Sequence, residues 1–576
     1  MDTFVLMVLC FAAYLLAYHT YGKFLARKIF KLDLNKVVPS KEFSDGMDYI
    51  PSKKIVIFGH HFASIAGTGP IVGPAIGIIW GWLPAVLWVV FGSIFMGAVH
   101  DLGTLVVSLR NQGKSISDIT AKYVNRRVRF IFFAIVFFVL LIVLAVFGVT
   151  IAVVFARFPS SVLAVWLQIP IAIATGWAIY KKGINIPLVT VLAVVAMYIT
   201  IWLGSIFKFT MPVIGTMPPT GSWTILLMVY CFFASTLPVN ILLQPRDYIN
   251  AWQLFIMMAI LGISAVIASL TMNMSLVAPA VNHNLTDAPP MMPFLFITIA
   301  CGAISGFHAL VASGTSPKQL EKEPDALFVG YGSMLIEGVL AILVIVCVAA
   351  GIGLGYKTAD GVTLLGADAW LKHYSSWSSA EGLMANIAAV VVGAANIMAA
   401  LKIPQALGVA IMGVFIASFA GTTLDTTARL QRYIISELAV TLKLPKLTNR
   451  YTATFLAVAT AAALAFATGA DGKGAIKLWP LFGAVNQLLA ALALLVVTMY
   501  LKQKGGMKLL FTLIPCVLML VITIWALVLK LGDFIHQKNY LLTMIGSLVL
   551  VLSVWMVIET AVLLFKKTDE NKIIAD

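Results

Sequence analysis

Two short stretches carry most of the chemistry available to this chain of 576 residues. The first reads "GHHFASIAGTGPIVGP", Gly59 to Pro74, and the second "HALVASGTSP", His308 to Pro317. Aligned without gaps from His61 and from His308, "HFASIAGTGP" and "HALVASGTSP" share His, Gly, Thr and Pro at the same spacing. Glycine lets a backbone leave helical geometry and approach a ligand, and proline withholds the N–H that would close the turn. N–H groups freed at the start of a half-helix suit an anion such as a carboxylate. The candidate substrate-binding residues are therefore His61, Ser64, Gly67, Thr68, Gly69 and Pro70 in the first motif, with His308, Ser313, Gly314, Thr315 and Ser316 in the second. The plainer reading is close helix packing, which Gly67, Gly69, Gly314 and Ser316 would also permit.

An ionisable side chain in hydrocarbon costs about 3 kcal/mol or more, so each one inside an apolar segment is a functional candidate. They are His60, His61, His100, Asp101, His308, Glu337, Lys402 and Asp425. Asp101, in "GAVHDLGTLVVSLR", is the leading carrier of a coupling proton, with His100, His61 and His308 beside it as candidates. Arg110 lies about 13 Å further along the same helix, too far to pair with Asp101. Asp425 and Arg429 stand at i, i+4 and predict a surface ion pair. "PVNILLQPRDYIN", Pro238 to Asn250, predicts a helix stop, a cytoplasmic gate being the alternative. Asn396, Asn486 and Gln487 read as helix–helix glue.

No catalytic residue and no metal site are expected. Cys10, Cys231, Cys301, Cys347 and Cys516 are scattered singly, without CxxC or Cys/His ligand spacing. No GxxxxGKS or GxxxxGKT phosphate loop supports ATP hydrolysis. His61 and His308 on two helices could instead ligate haem b, making a membrane redox protein; an absorbance spectrum separates that reading from transport.

The elements that must position these residues are membrane helices. The chain is 61% hydrophobic and 11% charged, against roughly 25% charged in soluble domains. Apolar segments long enough to cross about 30 Å of hydrocarbon recur from end to end. The excess of 39 basic over 24 acidic residues falls in the loops, as in cytoplasmic loops of membrane proteins, and nucleic-acid binding is not expected. The basic clusters are Lys23–Lys54, Arg110–Arg129, Lys181–Lys182, Lys318–Lys322, Arg429–Arg450, Lys502–Lys508 and Lys566–Lys567. Placing all of them inside predicts an all-α bundle of about 15 crossings, N-terminus outside and C-terminus inside. Residues 383–424 then hold two apolar stretches where an odd number of crossings is required, so one of them is a half-helix, a re-entrant segment or an interfacial piece. The two motifs fall on segments of opposite direction, the pattern of an inverted-topology repeat with substrate between broken helices. A membrane region over 1–380 carries both motifs, further helices fill 381–576, and no soluble domain interrupts them.

"FGHHFASIAGTGPIVGP", "GWLPAVLWVVFGSIFMGAVHDL", "LPVNILLQPRDY", "ACGAISGFHALVASGTSPKQL" and "FVGYGSMLIEG" resemble the signature blocks of the carbon starvation protein A (CstA) family. The resemblance runs from the first residues to the last helices. It implies a multi-pass protein of the bacterial inner membrane that imports a nutrient under carbon limitation. It also implies a fold of the amino-acid/polyamine-transporter kind. Members of the family are assigned both as proton-coupled pyruvate importers and as di- or tripeptide transporters. Thr68 stands where the family leads one to expect Ala, and His100 where it leads one to expect Gln. The resemblance implies no cofactor. The coupling ion is expected to be a proton, with sodium as the alternative that broken-helix carbonyls allow. The expected partners are a small carboxylate or short peptide and the lipid bilayer; sequence leaves the oligomeric state open.

Overall fold

The computed structural model describes residues 2–565 apart from 284, 286, 359, 360, 381 and 382, so Lys566 and Lys567 lie outside the described residues. Helices dominate. The only strands among the described residues are a two-residue hairpin, Tyr356–Lys357 against Thr363–Leu364. In chain order the main helices are α1 (Asp2–Ile29), α2 (Lys54–Ile65), α3 (Gly69–Gly77), α4 (Trp82–Leu109), α5 (Ile116–Tyr123) and α6 (Arg126–Arg157). Then come α7 (Ser160–Tyr180), α8 (Ile186–Ile206), α9 (Pro219–Thr236), α10 (Leu243–Thr271), α11 (Met291–Thr298) and α12 (Gly306–Gly314). The last seven are α13 (Ser333–Ala349), α14 (Leu383–Met398), α15 (Gln405–Thr441), α16 (Arg450–Phe466), α17 (Trp479–Gln503), α18 (Leu510–His536) and α19 (Tyr540–Phe565).

Eleven described helices are long and apolar enough to cross a membrane, or twelve when the bent pair α2–α3 is taken as one span. The chain is thus a polytopic membrane protein. Helices α14 and α16 are apolar but shorter, and α11 and α12 are eight and nine residues. Helix α6 illustrates the pattern. Asn125 caps it by accepting from the Val128 N–H at 2.9 Å, arginines hold both ends, and the interior is continuously apolar. With α15 it forms the centre of the bundle, so residues beyond 380 share a core with those before it.

Two segments are broken, and they lie antiparallel. Helix α2 ends at Ile65 and α3 resumes at Gly69, bent by 46°. A Cβ on Gly67 would stand 2.4 Å from Thr423 Oγ1, and one on Gly69 2.4 Å from Cys301 Sγ, so only glycine fits the approach. The other break, Ile299–Ser305, separates α11 from α12 and turns through Gly302 at φ +89°. Gly73 faces the Thr298 carbonyl and Gly69 faces Cys301, which sets the two breaks side by side.

The second motif does not itself form the unwound stretch expected of it. Residues 308–314 are helical, and Ser316–Lys318 add one 3₁₀ turn at the end of α12. The unwinding lies before the start of α12, 12 residues upstream of Gly314, where the sequence holds Gly302 but no proline. Between Ala350 and α15, the chain folds on one side of the bundle. Trp377 packs 5.3 Å from Trp80, and Asn396 donates to the Gly351 and Gly355 carbonyls at 3.1 and 2.6 Å. Lys402 follows α14 in an exposed turn and, unlike the other candidates, is not buried in the bundle.

Candidate functional site

Every ionisable residue of the two motifs is fully buried, and each has a specific neighbour. His308, on α12, is flanked by two carboxylates from other helices. Its Nδ1 is 3.1 Å from Asp101 Oδ2 on α4, and its Nε2 is 3.2 Å from Glu337 Oε2 on α13. Asp101 is held from its other oxygen by His100 Nδ1 at 2.7 Å, while Glu337 Oε1 accepts the Gly302 N–H at 3.0 Å. The run His100, Asp101, His308, Glu337 therefore ends on the backbone of the second break. Arg110 takes no part in it; it pairs with Glu323 and donates to Tyr500 Oη at 2.7 Å.

His61 belongs to the other motif, and its Nδ1 lies 2.7 Å from the Ser316 hydroxyl. The two motifs are thus in direct contact. Its neighbour His60 points elsewhere. Nδ1 is 2.5 Å from Asp247, and the Gln319 amide donates to Nε2 at 3.2 Å, leaving the Nδ1 proton for Asp247. Ser64 reaches Asp247 at 3.3 Å and Thr426 at 3.0 Å, and Thr423 donates to the Ser64 carbonyl at 3.2 Å. The last turn of α2 is therefore wired to α10 and α15 just before it breaks.

The remaining candidates divide. Thr68 is buried at the break, and its carbonyl accepts from Ile71 and Val72, starting α3. Ser313 faces away, accepting the Ile116 N–H at 3.0 Å and tying α12 to α5. Thr315 returns its hydroxyl to the Val311 carbonyl, and a Cβ on Gly314 would meet Leu430 at 2.2 Å. Asn486 is more than glue: its Oδ1 accepts the Phe307 N–H at 2.9 Å and caps the start of α12.

Sequence spacing misassigned one set of charges. Asp425 and Arg429 do not pair with each other. Asp425 binds Arg246 and accepts from Tyr230 Oη at 2.7 Å, whereas Arg429 binds Asp48 at 2.7 Å and donates to the Ala234 and Leu237 carbonyls. The helix stop expected at Pro238–Asn250 is present: α9 ends at Thr236, the chain breaks at Leu237–Leu242, and Arg246 and Asp247 follow in the first turns of α10. The guanidinium fits only because Gly421 has no side chain, a Cβ there standing 2.5 Å from it.

One end of the bundle is closed by the loop before α2. Asp48 takes Arg429, Arg432 and the Tyr433 hydroxyl, and Ile50 and Ser52 donate their N–H groups to Lys318 and Gln319. Burial alone would push the Asp48 carboxyl up, but Arg429, Arg432 and Lys318 hold it well below the usual carboxylate range. The opposite end carries a narrow cleft of about 80 Å³, walled by Val72, Thr298 and Trp479 and floored by Gly69 and Cys301 at the two breaks. His61 Nε2 and Asp247 Oδ1 are buried without a hydrogen-bond partner, while His308 Nε2 and Glu337 Oε2 face only each other at 3.2 Å.

Comparison with known proteins covers nearly the whole chain. The family model described as "Carbon starvation protein CstA" matches residues 2–526. The protein of Campylobacter jejuni named "Peptide transporter CstA" is 33% identical over 572 residues, covering 92% of this chain and 80% of that one. The "Pyruvate/proton symporter BtsT" of Escherichia coli K12 is 32% identical over 588 residues, covering 91% and 81%. Among solved structures, MhsT in complex with L-phenylalanine matches at a TM-score of 0.47 and 11% identity, covering 83% of this chain and 99% of that one.

Proposed function

The chain belongs to the carbon starvation protein CstA family, and from that premise we propose that it is a secondary transporter importing pyruvate or a similar small monocarboxylate together with a proton. The observation that carries the reading is His308 held between Asp101 and Glu337, directly beneath the cleft that ends at the two breaks. A proton arriving there has a chain of acceptors, and moving it changes what Glu337 can do for the Gly302 N–H. That N–H already holds a carboxylate, which is the chemistry an acid substrate would present. The cradle we infer consists of the freed backbone at Gly67–Pro70, the end of α12 at Thr315–Ser316 and the His61 ring between them. A relative named for pyruvate/proton symport and the narrowness of the cleft support the small acid.

The alternative is di- or tripeptide uptake, favoured by relatives named as peptide transporters. Sodium in place of the proton is the alternative for coupling, since unwound carbonyls can bind it. We also infer about 15 crossings of the bacterial inner membrane, N-terminus outside and C-terminus inside, with an inverted repeat. Supporting this, Lys318 after α12 and Arg429 and Arg432 in the second half of α15 converge on the Asp48 loop, while we place α14 and its flanking turns at the Trp80 end without a crossing of their own.

The deciding experiment is uptake of labelled pyruvate into proteoliposomes under an inward proton gradient, with unlabelled dipeptide as competitor. Accumulation that collapses with a protonophore and ignores dipeptide supports the reading. Accumulation abolished by dipeptide, or seen only when peptide carries the label, moves the assignment to peptides. Accumulation that follows an imposed sodium gradient instead moves the coupling ion.

A further inference from the structure

Cys301, His308 and Glu337 bring a thiol sulfur, an imidazole nitrogen and a carboxylate oxygen to within 4.8 Å of one another. They come from three elements, namely the second break, α12 and α13, so no ligand spacing exists in the sequence. His308 and Glu337 are fully buried, and the two atoms turned toward each other, Nε2 and Oε2, lie 3.2 Å apart as an ion pair with no further partner.

Their other atoms are already anchored. His308 Nδ1 is tied to Asp101, which His100 holds in turn, and Glu337 Oε1 accepts the Gly302 N–H. An imidazole that donates its Nδ1–H as a hydrogen bond to a carboxylate presents its Nε2 in a fixed direction, the support that metal-bound histidines have. Access exists too. Cys301 is half-buried at the floor of the outer cleft, and Gly69, lacking a side chain, leaves room for its sulfur.

We propose that Cys301, His308 and Glu337 form a binding site for a borderline-soft divalent cation of the zinc class, entered from the cleft. A thiolate, an imidazole and a carboxylate suit such an ion at bonds of about 2.0–2.3 Å, whereas calcium and magnesium seek oxygen alone. Ligands in a tetrahedron of those bonds stand roughly 3.3–3.8 Å apart, so side-chain movements of about 1 Å close the site. The thiol gives up its proton on binding, as does the His308–Glu337 contact, and the two anionic ligands, thiolate and carboxylate, then balance the two charges of the ion, sparing the interior an uncompensated charge. A bound ion would also occupy both facing atoms of the proton relay and arrest uptake, a consequence that rests on the transport reading.

The test uses the purified full chain in lipid nanodiscs, with Co²⁺ as spectroscopic probe and Zn²⁺ as competitor. Expected is a sulfur-to-cobalt charge-transfer band in the near ultraviolet, saturating at one ion per chain and displaced by Zn²⁺. Cys301→Ser removes that band, Glu337→Gln weakens binding by about tenfold, and Cys231→Ser, a buried cysteine elsewhere, leaves the spectrum unchanged. No band, or a band that survives Cys301→Ser, overturns the site. In proteoliposomes, external Zn²⁺ is expected to stop wild-type uptake and spare Cys301→Ser; equal inhibition of both overturns the arrest. Failure of the pyruvate reading would leave the cobalt spectrum as it is, so the two failures are distinguishable.

Discussion

The His61 ring lies 2.7 Å from the Ser316 hydroxyl, so the first residue of one motif touches the ninth residue of the other. Two segments 255 positions apart meet through the residues that make them alike. The contact sits beside the first break and closes the space beneath it from the α12 side. Ser316→Ala removes the hydroxyl and leaves His61 with no hydrogen bond from the second motif. We expect weaker substrate binding, seen as a raised KM for uptake with little change in thermal stability; an unchanged KM would separate this contact from the binding step.

Asp101→Asn keeps the shape of the relay but removes its charge. Uptake driven by an imposed pH gradient should be lost, while exchange of labelled for unlabelled substrate, which needs no net proton movement, should persist. Glu337→Gln should behave alike. Loss of exchange together with accumulation, at unchanged thermal stability, would assign these carboxylates to substrate binding instead of coupling.

The Arg246–Asp425 pair is buried, and removing one partner strands the other charge. Arg246→Met and Asp425→Leu should each destabilise by about 3–5 kcal/mol, and the double variant should recover most of that loss. Thermal melting in detergent across the four proteins gives the coupling directly. Additive losses would mean the two charges do not depend on each other.

Gly69→Ala places a methyl group where the Cys301 sulfur stands, at 2.4 Å. Uptake should fall by about tenfold or more, the scale on which small misplacements act in a positioned site. Adding Cys301→Gly should restore it. Failure of that second change to rescue would point to backbone freedom at residue 69, and not crowding, as the requirement.

Asp48 gives the molecule an acid-sensitive lock. Its carboxyl is depressed in the folded state, so the stability it contributes is complete above the unfolded value of about 4 and drains away as the pH falls toward the folded one. Melting temperature measured from pH 7 downward should drop more steeply for the native chain than for Asp48→Asn, which starts lower. Parallel curves would mean that other carboxylates set the acid limit.

Much of this was legible in the residues themselves. The first break is announced by Gly67, Gly69 and Pro70, because a backbone that must bend without a side chain leaves no other choice. His61, Asp101 and His308 declare themselves by cost, since an ionisable group in hydrocarbon needs a partner. Partners are another matter. Nothing in local spacing links His60 to Asp247 or Arg246 to Asp425, which meet across 187 and 179 positions. The i, i+4 rule offered Arg429 to Asp425 and was overridden because the two side chains leave α15 toward different neighbours. The second break was hidden for a different reason: "ACGAISG" contains no proline, and one glycine at positive φ is indistinguishable in sequence from a packing glycine.

Asp48 also sets the order in which the molecule can be finished. It emerges early in synthesis, yet its partner Arg429 follows 381 residues later. Until α15 is in place the carboxylate has no guanidinium, and the strand-like contacts of Ile50 and Ser52 have only Lys318 and Gln319 to rest on. A nascent chain therefore carries both broken segments, α2–α3 and α11–α12, well before Asp48 can be paired. A chain interrupted before Arg429 leaves Asp48 without either guanidinium although both broken segments are complete.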